Sequence, residues 1–176
     1  SKKYFGEIYN PKGFYLPEMA YSDEVGAIIR EEGFLWILLD EIHAGTMDGG
    51  MDWNKKYISS ETGLVAVFRK RSISQTFPPE QIFNIWDEIS NGTLVTVHDG
   101  EMYGHRHTDD RGFYAKAFEH TDIVMLTASE YVDSLSEEQY ISLKKASWET
   151  LPAELEAGIP FSVWDDPKNS IHSQLW

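Results

Sequence analysis

Apolar residues recur along the chain in two distinct periods, and the breaks between them mark out the expected elements. Ser22 is placed to accept from the free N–H groups of a helix start. Asp23 and Glu24 follow in the first turn, and Val25, Ile28 and Ile29 fall on one face before Gly33 ends the segment. Phe34 to Leu39 is apolar at every position and of strand length, which predicts a strand covered on both faces at the centre of a sheet. Gly45 to Asn54 reads as a loop, and Leu64 to Phe68 as a second buried strand closed by Arg69-Lys70-Arg71.

Pro78-Pro79 opens a helix with Ile82, Ile85, Trp86 and Ile89 at helical spacing, ended by Asn91-Gly92. Thr93 to His98, a turn at Asp99-Gly100, and Glu101 to His107 carry the pattern of a β-hairpin. Phe113 to Glu119 and Ile123 to Thr127 read as two further strands. Ser136 with Gln139 three residues on forms a capping-box pattern that opens a helix running through Trp148. After Pro152 the pattern is less regular, and Trp164 and Trp176 are expected to fold back onto the body. The expected fold is α+β: a single domain over residues 1–176, with a mixed, mainly antiparallel sheet and about three helices packed on it.

Composition supports one folded unit. A chain of 176 residues, 41% hydrophobic and 25% charged, lies in the globular range and buries about 70% of its unfolded surface. The apolar run from Phe34 stops at Asp40, far short of the ~18 residues of a membrane span. With no signal-like segment at the start and no cysteine, the expected compartment is the cytoplasm, and disulfides, thiolate zinc sites and cysteine nucleophiles are excluded. Walker, Gly-x-Gly-x-x-Gly and Gly-x-Ser-x-Gly motifs are absent, so no catalytic residue and no cofactor is expected from that quarter.

Charge changes the picture most. There are 29 acidic and 15 basic side chains, a net of −14, and the excess lies late: residues 119–176 carry 11 acids and 3 bases. Such a surface repels nucleic acid and anionic membranes and favours basic partners, although the same excess also serves solubility alone.

The sharpest chemical cluster is His105-Arg106-His107-Thr108-Asp109-Asp110. On a strand, His-x-His places both imidazoles on one face, and Asp109 in the following loop would complete three metal ligands. The run is similar to the His-x-His-x-Asp-His signature of metallo-β-lactamase-like hydrolases, with Asp110 where the signature has its last histidine. Hairpin register keeps His98 roughly 14 Å from His105, too far to share an ion. The same face, with Glu101, Tyr103, His105 and His107 beside Asp109 and Asp110, reads equally as a solvated sheet face or as a recognition surface.

The opening Tyr4-Phe5-Gly6-Glu7-Ile8-Tyr9, the acidic C-terminal third and the Thr93–Glu101 hairpin together resemble the immunity proteins of bacterial contact-dependent growth inhibition systems. The resemblance is to the kind that neutralises a nuclease toxin. It implies a cytosolic protein without catalysis or cofactor that binds the basic C-terminal toxin domain of its cognate partner. On that reading Glu101, Tyr103, His105, His107, Asp109 and Asp110 are the candidate toxin-binding residues, and the C-terminal acids steer the encounter. The alternative is a metal-dependent hydrolase using His105, His107 and Asp109.

Overall fold

The computed structural model describes residues 10–46, 50–85 and 92–175. Its frame is a mixed five-stranded sheet of order β1-β2-β4-β3-β5, formed by β1 (Gly13–Tyr15), β2 (Trp36–Asp40), β3 (Lys55–Ser59), β4 (Val65–Arg69) and β5 (Glu137–Ile141). Strands β1, β2 and β4 run parallel to one another, β3 is antiparallel to β4, and β5 is parallel to β3. The expected mixed sheet is present, but its pairings are mainly parallel, not antiparallel.

The two continuous apolar runs form the centre of the sheet. β2 and β4 pair in register from Trp36↔Val65 to Asp40↔Arg69, and each is covered on both faces. Ile37, Leu39, Ala66 and Phe68 pack with Tyr21, Ile29, Tyr57 and Leu64 in the larger core. Alternation turns Val67 to the other side, where it meets Tyr131, Val132 and Leu135. At the edge, Gly13 lies opposite Trp36, and a Cβ there would fall 2.1 Å from the indole, so only glycine fits.

Helix α1 (Asp23–Glu31) begins as its sequence predicts, with Ser22 Oγ accepting from Val25 N–H, and ends at Gly33, whose φ of +90° turns the chain into β2. Short helices α2 (Arg71–Ser74) and α3 (Pro78–Asn84) follow β4. Trp86, Ile89 and Asn91 of the expected longer helix lie outside the described residues, as do Tyr4 to Tyr9 and Trp176.

The middle of the chain departs from expectation. The Asp99-Gly100 turn forms, closed by Met102 N–H donating to Asp99 O at 3.1 Å, but no hairpin is built on it. Thr93 to His98 is spent on the end of β4 instead: Lys70 N–H donates to Val95 O at 2.9 Å. Met102–Arg106 curls into a wide turn through Gly104 at φ +76°.

Phe113–Glu119 is helix α4, not a strand, and Ile123 to Thr127 joins no strand, leaving Val124 79% exposed. The capping box lies at Thr127 and Glu130, opening α5 (Ala128–Ser134), which covers the second face of the sheet. Ser136 and Gln139 open no helix, because tertiary pairing with β3 recruits Glu137–Ile141 as an edge strand. Beyond it lie α6 (Pro152–Glu156), α7 (Ser162–Asp165), with Trp164 half-buried, and α8 (His172–Leu175). Among the described residues, no helix is long and apolar enough to cross a membrane.

Candidate active site

The C-terminal ends of β1, β2 and β4 lie side by side at one edge of the sheet, the position where parallel sheets gather their functional loops. The edge is built on a buried charge cluster. Asp40, the last residue of β2, is fully buried and in register with Arg69. Its carboxylate accepts from Arg69 Nε at 2.7 Å, from Arg71 Nε at 2.9 Å and from Ile42 N–H at 3.0 Å. Both guanidiniums reach onward: Arg69 Nη1 donates to Val97 O at 2.9 Å and Arg71 Nη1 to Thr150 O at 2.7 Å. Arg71 N–H donates to Glu41 Oε1 at 2.9 Å.

Beyond β1 the chain makes one tight turn, Pro17–Met19. Glu18 (φ 56°, ψ 13°) and Met19 (φ 49°) both occupy the left-handed region, a strained conformation for residues with a Cβ. Surrounding contacts enforce it. Met19 is fully buried, and buried His43 places Nε2 at 2.9 Å from Met19 O and 3.0 Å from Ala146 O, with Nδ1 2.8 Å from Asp40 O. Burial disfavours the charged imidazole and lowers the His43 pKa, while the Asp40, Ala146 and Met19 carbonyls pull the other way. An antiparallel bridge between Tyr21 and Ala146 carries Trp148 alongside the turn. Trp148 N–H donates to Glu18 O at 3.1 Å, and its indole Nε1 donates to Glu18 Oε2 at 2.7 Å. The result is an exposed carboxylate on a rigid, strained turn.

A second exposed carboxylate arrives from the other side. Arg69 Nη1 on Val97 O and Ser74 Oγ on Val97 N–H (3.1 Å) pin the segment that ends in Asp99. Tyr15, at the end of β1, registers both acids. Burial raises its phenol pKa first, then the charges of Asp99 and Glu18 raise it further, and Arg69 lowers it. Glu18, Asp99, Tyr15 and Arg69 therefore share one electrostatic neighbourhood. Tyr15 packs 6.3 Å from Trp148, whose ring lies 4.6 Å from the Arg69 guanidinium. An apolar cavity of about 520 Å³, lined among the described residues by Leu38, Val67, Val95, Met125 and Tyr131, contains neither acid.

The cluster singled out from the sequence is arranged differently. Without strands, His105 and His107 do not share a strand face. His105 is exposed on the wide turn, while His107 packs on Phe77 at 5.4 Å. Asp109 accepts from Phe113 N–H (2.7 Å) and Tyr114 N–H (3.0 Å), holding the start of α4. Tyr103 is wedged among Phe77, His98 and Tyr114, the last in edge contact at 4.3 Å. Glu101 and Asp110 are exposed. No group of three metal-ligating side chains forms among the described residues.

Sequence reasoning missed Glu18 altogether and took Asp99 only as a turn residue. The available signal was positional: each acid follows directly on a segment rich in apolar residues, Glu18 after Gly13–Pro17 and Asp99 after Thr93–His98.

Residues 1–144 match the family model for glycosyl hydrolase family 57. The fold is shared with two larger enzymes of known structure. A 4-α-glucanotransferase from Thermococcus litoralis superimposes with a TM-score of 0.68 at 22% identity, over 83% of this chain and 26% of that one. An α-amylase from Thermotoga maritima superimposes with a TM-score of 0.60 at 14% identity, over 85% of this chain and 45% of that one. The chain thus spans about a quarter and just under half of their respective lengths. No curated protein sequence matches it. The family match overturns the immunity-protein resemblance, together with the toxin partner and the absence of catalysis that it implied; the metallohydrolase alternative has no support either. With most of its residues under that one model and its fold shared with two carbohydrate-active enzymes, the chain belongs to glycosyl hydrolase family 57.

Proposed function

We propose that the chain carries a glycan-cleaving or glycan-transferring centre in which Glu18 and Asp99 are the two reacting carboxylates, with α-glucan as the substrate class. The carrying observation is the pair itself: two exposed acids beyond the C-terminal ends of the parallel strands, Glu18 on the turn after β1 and Asp99 at the end of the segment that Lys70 and Arg69 tie to β4. Breaking a glycosidic bond takes two carboxyl groups, one donating a proton to the leaving oxygen and one facing the anomeric carbon. Glu18 suits the second task, because its strained turn and the Trp148 donor fix its direction. Asp99 suits the first, standing on an exposed turn within reach of an incoming chain.

In this scheme the Glu18 carboxylate attacks the anomeric carbon as Asp99 protonates the departing sugar oxygen, leaving a glycosyl ester on Glu18. Asp99, now ionised, takes the proton of the acceptor that attacks the ester and releases Glu18. Water as acceptor gives hydrolysis and a sugar hydroxyl gives transfer, the two outcomes named for the amylase and the glucanotransferase of the same fold.

The test is turnover of maltoheptaose and amylose by the chain and by Glu18→Gln and Asp99→Asn. Each substitution is expected to lower kcat by roughly 10³-fold or more, with thermal melting little changed. Activity that survives both substitutions, or a parent chain inert towards α-glucans, overturns the reading.

A further inference from the structure

Residue 148 lies beyond the family-matched region, yet its side chain bonds that of Glu18 at 2.7 Å. We infer that Trp148 is a positioning residue for Glu18, holding its carboxylate in the direction from which it meets the substrate. The inference rests on Glu18 being one of the reacting carboxylates.

Trp148 is 6% exposed, and its indole N–H is the only donor that side chain has. At 2.7 Å from Glu18 Oε2 it forms a charge-assisted bond, about twice as strong as a neutral one. Without it, the terminal torsion of a glutamate is broad and soft, and the carboxylate loses its fixed direction. The indole in turn is held from behind by the Arg69 guanidinium at 4.6 Å, itself anchored on Asp40 at 2.7 Å. Arg69 also bonds Val97 O, two residues before Asp99. One buried unit, Arg69 with Trp148, therefore braces the carboxylate on the β1 side and the segment bearing the carboxylate on the β4 side.

The backbone of this strap does not depend on the indole. Ala146 is bridged to Tyr21 by N–H···O bonds of 2.9 and 3.2 Å, and Thr150 O accepts from Arg71 Nη1 at 2.7 Å. Trp148→Phe thus removes the donor while leaving a ring over Arg69 and the strap in place.

Two measurements test the inference. In Trp148→Phe, kcat on maltoheptaose is expected to fall roughly 10- to 100-fold with KM within about twofold of the parent. The indole ¹H–¹⁵N resonance of Trp148, assigned by its loss in that variant, is expected to move upfield in Glu18→Gln, where the acceptor carries no charge. A resonance indifferent to Glu18→Gln, or an unimpaired kcat in Trp148→Phe while Glu18→Gln is inactive, overturns the positioning role alone. An active Glu18→Gln removes Glu18 from the reaction and overturns both readings, and the resonance reports the bond even where turnover is not measured.

Discussion

Asp40 and Arg69 stand opposite each other at the ends of two parallel strands, joined at 2.7 Å in a site from which water is excluded. Arg71 shares the same carboxylate at 2.9 Å. Removing the shared anion leaves two buried cations facing each other without it. Asp40→Asn is therefore expected to lose about 3–5 kcal/mol of stability, read as a lower urea midpoint. A variant with the parent midpoint would show that the guanidiniums find other partners.

His43 makes stability fall on the acid side. Burial holds its folded-state pKa below the ordinary value of about 6.5, so the native imidazole is neutral where the unfolded one begins to take up a proton. Stability is fully present above about pH 6.5 and declines as pH falls from there towards the lowered folded value. Urea midpoints between pH 7 and 5 are expected to slope downward in the parent and to be flatter in His43→Asn, which is the less stable of the two at pH 7.

Two tyrosines contribute to the alkaline side. Tyr21, donating to Asp23 Oδ1 at 3.1 Å, and Tyr131, donating to Trp53 O at 2.7 Å, are both pushed up to about 12, in each case chiefly by burial. An unfolded tyrosine ionises near 10, so the unfolded chain releases protons that the native chain keeps. Stability is intact below about pH 10 and falls as pH rises towards 12. Tyr21→Phe and Tyr131→Phe should each flatten that decline, and an unchanged slope in both would assign it to other groups.

Asp109 and Asp110 should separate cleanly. Asp109 satisfies two free N–H groups at the start of α4, so Asp109→Ala is expected to cost roughly 1–2 kcal/mol. Asp110 is exposed, and Asp110→Ala should stay within about 0.5 kcal/mol of the parent. Thermal melting of the two variants decides it, and equal effects would remove the capping role.

What the sequence made legible was local. Ser22 caps α1 because the N–H it accepts from, that of Val25, lies three residues on, and the two apolar runs became β2 and β4 because a doubly covered strand needs apolar residues on both faces. The Asp99-Gly100 turn also formed, but a turn does not choose what its flanks pair with, and here they joined β4 and a wide turn. Glu137 to Ile141 shows the limit from the other side. Its residues suit a helix, and its strand conformation comes from pairing with β3, including a Lys55–Glu137 ion pair at 3.0 Å. The candidate site was illegible for the same reason. Glu18 and Asp99 carry no shared local pattern; one follows β1 and the other ends a segment bonded to the end of β4, so their placement comes from the order of the sheet.

The double use of Asp40 has a dynamic consequence. Through Arg69 its carboxylate holds the segment before Asp99, and through Arg71 it holds the strap that bears Trp148. The segment before Asp99 and the strap that bears Trp148 are thus tied to one buried anion, so loosening either is expected to loosen the other.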